Sequence, residues 1–224
     1  MEQIYSWEDM ENLVLGYGFM PFFRNEVTGF SIEEHTPWNL WFSDHEDGPW
    51  EWKGPVAVNG KCVYGKFFRK KAGLVSLEWF ADFANWRRNG YDFDSRCDEG
   101  IVPYKDQHLY QVIKDHRAVN TRQLKIAAGY GKDGLKGFET VITRLQMLTY
   151  VNIQNFVYEM TKEGEAYGWG VSRYTTPEEQ FGEEAVRSAY TRDPEESYQR
   201  IIDHLHSKFP NEERNVIEYV MAQK

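Results

Sequence analysis

The spacing of apolar residues changes character near the middle of this 224-residue chain. In the first hundred residues, long helical periods are few. SWEDMENLVLGYG opens on Ser6 and Asp9 at the spacing of a capping box, with Leu13 one turn further on, which predicts a short helix ending near Gly16. FSIEEHTPWNLWF, GPWEWKGPVAVNG and KCVYGKFFRKKAGLVS then look like short strands broken by Gly-Pro, Asn-Gly and Lys-Ala-Gly turns. In VAVNGKCVYGKFF, Asn59 and Gly60 lie between two β-prone runs, the pattern of a tight hairpin. SLEWFADFANWRRNG returns to helical spacing with Leu77, Phe80, Phe83 and Ala84 on one side, Ser76 as cap and Gly90 as stop.

DFDSRCDEGIVP, residues 92–103, is polar and irregular and is expected to be a linker. Beyond it the periods lengthen. KDQHLYQVIKDH turns Leu109, Val112 and Ile113 inward, NTRQLKIAAGYG runs from an Asn or Thr cap to Gly129, and KGFETVITRLQMLTYV carries Phe138, Val141, Ile142 and Leu145 at helical spacing. YVNIQNFVYEM and YGWGVSRYT follow as β-prone runs joined by TKEGEA, a turn of wing size. Three helices and a hairpin in this order are the plan of a winged helix-turn-helix. The expected fold class is therefore α+β: an aromatic-rich mixed region over 1–100, a winged helix-turn-helix over 101–176, and a helical tail over 177–224 that packs on the rest.

Composition sharpens this picture. Aromatic residues make up 16% of the chain and supply a core. Cys62 and Cys97 are too few for a disulfide framework or a four-thiolate zinc site, and no apolar run reaches bilayer length, so a cytoplasmic protein that does not meet the membrane is expected. The net charge of −9 argues against nonspecific coating of nucleic acid, whose affinity comes mostly from neutralised phosphates. Residues 121–144 reverse that sign locally: Arg122, Lys125, Lys132, Lys136 and Arg144 stand against Asp133 and Glu139. They are the expected nucleic-acid-binding residues, with Lys132 and Lys136 flanking a Gly-rich turn where backbone can approach DNA. A solvated helix face is the plain alternative.

The same stretch resembles a known family. RLQMLTYV is similar to the glutamine motif of bacterial DNA glycosylases of the AlkZ and YcaQ type, which are built from winged-helix units and carry Gln, a hydrophobic residue, then Gln or Asp at the centre that cleaves an alkylated base from its sugar. The resemblance covers 100–176 and puts Gln146 at the first, catalytic position and Met147 at the second. Leu148 stands where the second polar group belongs. An oxocarbenium-like centre needs an electrostatic partner and an oriented water, and Leu supplies neither. The resemblance thus implies an AlkZ-related, DNA-repair-type protein that binds double-stranded DNA without the full catalytic motif. A noncatalytic interaction or ligand-sensing module with a structural winged helix is the alternative. A base-processing enzyme would have to pair Gln146 with an acidic residue such as Glu51.

Other clusters carry less. His35 and His45 with Glu33, Glu34, Asp44, Glu46 and Asp47 lack metal-ligand spacing, and His204 and His206 face different ways on a helix, so no metal site and no cofactor are expected. Trp50 and Trp52 on one face of an expected strand, with Trp38 and Trp41, are a candidate aromatic pocket for a base or another flat ligand, edged by Tyr64, Lys66, Arg69 and Lys70. No Walker loop, GxGxxG or GxSxG element is present.

Overall fold

A computed structural model describes residues 2–43, 45–161 and 166–223. The elements run α1 (Trp7–Tyr17), β1 (Phe19–Pro21), α2 (Ile32–His35), a 3-10 turn (Trp38–Leu40), α3 (Pro49–Val58), β2 (Cys62–Phe68), β3 (Lys71–Ser76), α4 (Leu77–Arg88) and α5 (Phe93–Asp98). They continue with α6 (Tyr104–His116), β4 (Ala118–Asn120), α7 (Thr121–Ala127), α8 (Phe138–Met147), β5 (Asn152–Met160), β6 (Ala166–Thr175), α9 (Pro177–Phe181), α10 (Glu183–Arg187), α11 (Pro194–Lys208) and α12 (Arg214–Met221). The turn TKEGEA falls largely on residues 162–165, outside the described residues.

One antiparallel sheet, in the order β1-β3-β2-β5-β6-β4, threads this mixed α+β chain. β2 of the first half meets β5 of the second through a Tyr64↔Ile153 pair, so the strands of both halves share one hydrogen-bonded array. Phe19 of β1 and Phe67 of β2 are fully buried, together with Phe22, Phe30, Phe80 and Phe83. Phe83 meets Phe19 and Phe67 edge to face, each with centroids 5.7 Å apart, the arrangement the ring quadrupole favours. No helix among the described residues is long and apolar enough to cross a membrane.

Several predicted elements form where expected. Ser6 Oγ accepts from Asp9 N at 3.1 Å and Asp9 Oδ2 accepts from Tyr5 N at 2.9 Å, fixing the start of α1, which ends at Gly18 rather than Gly16. Asn120 caps α7 in the same way, through Gln123 N at 2.9 Å. α8 buries Phe138, Val141, Ile142 and Leu145.

Others differ. The first two stretches expected as short strands form none: 30–42 carries α2 and the 3-10 turn, and 49–58 is α3. Ser31 Oγ accepts from Glu34 N, and Pro49 occupies the first turn of α3 while Glu51 accepts from Gly48 N at 3.0 Å, so helix-start signals outweigh the β-prone aromatics. Trp50 and Trp52 therefore lie on a helix and do not share a strand face. Asn59 and Gly60 close α3 instead of a hairpin. The two-residue turn comes later: Phe68 pairs with Lys71, and Arg69 and Lys70 between them both adopt positive φ, 48° and 68°. The expected linker contains α5, capped by Asp92 through Ser95 N at 2.7 Å. Ser76 makes no side-chain cap, and α4 stops at Asn89, which is left-handed, one residue before Gly90.

Candidate nucleic-acid interface

The glutamine motif sits at the end of α8, where Gln146 is completely buried. Its Oε1 accepts from Lys66 N of β2 at 3.1 Å and its Nε2 donates to Ile142 O at 3.1 Å. The oxygen thus joins α8 to the sheet and the nitrogen bonds back within α8, and the buried amide is turned inward, away from solvent. Gln146→Ala leaves the Lys66 N–H without an acceptor in a closed environment. It is expected to lower stability by about 1–3 kcal/mol in urea unfolding, and an unchanged midpoint would refute this tethering role. Glu51, the acidic partner considered from sequence, holds the start of α3 through Gly48 N.

The turn that follows is held just as firmly. Thr149 has φ +61°, in the left-handed region. Arg88 reaches it from α4: Nη2 donates to Thr149 O at 2.6 Å and Nε to Thr149 Oγ1 at 3.1 Å. The same guanidinium donates to Glu178 Oε1 at 2.5 Å and to Tyr190 Oη at 3.1 Å, and lies over the Tyr150 ring at 4.6 Å. Burial opposes both charges, but the Arg88 charge and hydrogen bond hold the Glu178 carboxyl below its ordinary pKa, and Glu178 leads the effects that raise that of Arg88.

Met147 and Leu148 floor a groove of about 650 Å³, whose walls are the exposed face of α8 (Glu139, Thr140, Thr143, Arg144) and the β2–β3 hairpin (Lys66, Lys70), with Gln223 at its edge. Lys70 N donates to Met147 Sδ at 3.1 Å, tying the hairpin turn to the helix. Three cations line this groove against one carboxylate.

The cations singled out from sequence are spread more widely. Arg144 makes a two-pronged pair with the buried carboxylate of Asp106 on α6, which also raises its pKa. Lys125 pairs with Glu139 at 3.2 Å and covers the Phe138 ring at 4.7 Å. Lys136 donates through Nζ to Gly131 O at 2.6 Å and to Lys132 O, so it braces the α7–α8 loop from within, and Lys105 Nζ in turn reaches Lys136 O at 2.9 Å. Lys132 is exposed on that loop. Arg122 lies beside a separate groove with Asn120, Gln123, Val157, Tyr158 and Val171. Lys66 and Lys70, placed by sequence beside the tryptophans, prove to belong to the α8 groove. The signal was the cation-rich KFFRKK, but its partner helix is far away in sequence.

The four tryptophans are brought together only in part. Trp41 and Trp50 meet edge to face at 5.7 Å and both pack on Phe22 and Phe23, which fills the space between them. Trp52 is buried on another side of α3, and Trp38 is 73% exposed beside Phe42. His35 is buried between the carbonyls of Glu2 and Gly29 at 2.7 and 2.9 Å. Among the described residues, which exclude Asp44, no group of three or more His, Cys, Asp or Glu side chains is placed to hold a metal ion.

Among solved structures, the chain is similar to the DNA glycosylase AlkZ of Streptomyces sahachiroi, with 12% identity and a TM-score of 0.49 over 91% of this chain and 51% of that one. It thus spans about half the length of that relative. No curated protein matches the sequence. The family model described as AlkZ related matches residues 4–222, nearly the whole chain, and the protein belongs to the AlkZ-related family.

Proposed function

We propose that this protein binds double-stranded DNA through the α8 groove, in a role related to DNA repair, without excising bases itself. The observation that carries this reading is the pair Lys66 and Lys70: among the described residues neither makes an ion pair, and both line one groove of a chain whose net charge is −9. Placing Arg69 and Lys70 at the hairpin turn also costs conformational energy, because positive φ at two successive positions favours Asn and Gly. Membership of the AlkZ-related family supports the substrate class.

The unit that would meet DNA is a winged helix over 101–176, in which α6, β4, α7, α8, β5 and β6 follow one another and β4 pairs with β6. Its cations on α7 and α8 that face carboxylates, Lys125 and Arg144, are poor readers of bases. Contact is therefore to phosphate, and affinity is modest and nearly sequence-independent. A noncatalytic interaction module remains the second reading. It is favoured by the burial of Gln146, which removes the motif's glutamine from the surface.

Binding to a duplex should weaken with a slope of about −2 in log K against log salt, as expected for two phosphate contacts. Lys66→Glu with Lys70→Glu should abolish it, while Lys132→Glu should have a smaller effect. Retention of affinity in the double variant would overturn the assignment of the groove. Release of alkylated bases should be absent over a lesion panel, and release suppressed by Gln146→Ala would overturn the noncatalytic reading.

A further inference from the structure

On the N-terminal side of the molecule a second cleft, of about 510 Å³, is lined by Tyr5, Trp7 and Trp52 together with Glu46 and Asp47. We propose that this cleft binds an organic cation of the alkylammonium class. Three aromatic side chains and two carboxylates line it, and no Lys or Arg does. The face of an aromatic ring is negative and attracts an ammonium, and a carboxylate beside it adds the opposite charge. The volume falls within the roughly 300–1,000 Å³ of small-ligand sites.

The rest of the protein makes the lining conspicuous. Elsewhere aromatic faces are already covered by internal cations: Lys53 lies over Trp50 and Phe156, Arg69 over Tyr219, Arg87 over Phe83 and Trp86. Among the described residues Tyr5, Trp7 and Trp52 have no such partner, and Glu46 and Asp47 make no ion pair. The cleft therefore offers the same two kinds of group that this chain pairs with cations internally, with Tyr5 exposed, Trp7 half-buried and Trp52 as a buried wall. Its shape is fixed by Gly48: a Cβ there would meet Leu40 O at 1.8 Å, so only glycine lets the loop carrying Glu46 and Asp47 close on the 3-10 turn.

Such a cation is either a free small molecule or an alkylated lysine side chain of a partner. Trp38 and Phe42, 73% and 70% exposed at either end of the stretch that contributes Asn39 and Leu40, stand ready to be covered in the second case.

Tetramethylammonium and a capped tripeptide with a central trimethyllysine, each titrated into the full chain at constant ionic strength and followed by tryptophan fluorescence and NMR, test this. Saturable binding at millimolar concentration is expected, with no saturation by the neutral analogue neopentyl alcohol. Glu46→Gln with Asp47→Asn should weaken it about tenfold, as should Tyr5→Ala, which alters only a surface ring. Tighter binding of the tripeptide assigns the partner side chain, and equal binding assigns the free cation. Absence of saturation, or equal affinity in the carboxylate double variant, overturns the proposal. DNA affinity is read separately and should not change in these variants, so failure here leaves the α8 groove untouched.

Discussion

Arg88→Ala should cost about 3–5 kcal/mol of folding stability, a large part of what a domain of this size possesses. The side chain is completely buried, and its loss would take a donor from the Thr149 carbonyl and hydroxyl and leave the Glu178 carboxylate with only Arg187, at 3.5 Å. A buried carboxylate that loses its nearer cation costs more than the pair that contained it was worth. Urea unfolding should show the midpoint fall, and a change below about 1 kcal/mol would mean that water replaces the guanidinium. The pH dependence has a definite sign. The Glu178 carboxyl is held below its ordinary value, so its contribution is complete above the unfolded-state value of about 4.3 and is lost as pH falls through the lower folded-state value. Arg88→Ala should flatten that acid limb. Replacing both partners, Arg88→Met with Glu178→Leu, should recover much of the loss.

Lys53→Met should act in the opposite direction. Lys53 is 8% exposed, lies 4.7 Å from the Trp50 centroid and 4.5 Å from that of Phe156, and has no carboxylate in an ion pair among the described residues. Burial pushes its pKa down to about 8, with Glu51 opposing. Because the folded-state value lies below the unfolded one, the unfolded chain binds more protons between about pH 8 and pH 10.4. Stability linked to Lys53 is therefore complete above that window and lost as pH falls through about 8. At pH 7 the methionine variant should be more stable by about 1–3 kcal/mol, the two ring contacts offsetting part of the burial cost. The difference in urea midpoint between variant and parent should shrink across the window. Buried tyrosines and cysteines titrate with the opposite sign at the alkaline end, so the difference is the measurement that isolates Lys53. A variant less stable than the parent at pH 7 would refute the account.

The sequence made some parts of the molecule far more legible than others. α8 was readable because Phe138, Val141, Ile142 and Leu145 repeat at the helical period, and α1 and α7 because Ser6 and Asn120 are side-chain caps within their own segments. α3 was misread because Trp50, Trp52, Val56 and Ala57 have β-prone or ambiguous chemistry and Gly54 with Pro55 mimics a turn; Pro49 and Glu51 were the decisive residues. The interface was legible as chemistry and not as geometry. KFFRKK was visibly basic, but only the hydrogen bonds of Lys66 N to Gln146 and of Lys70 N to Met147 place it against α8. The burial of Gln146 was equally hidden, since a glutamine at a helix end ordinarily faces water.

The single register pair that joins β2 to β5 also sets an order of events during synthesis. β2 and β3 can close their own hairpin as soon as they leave the ribosome, but the other edge of β2 stays open until Ile153 has been made. An uncovered strand edge is a template for other chains, and distant pairings form slowly. Nascent chains halted before that residue would therefore be the aggregation-prone species of this protein, and chaperone demand should fall once β5 emerges.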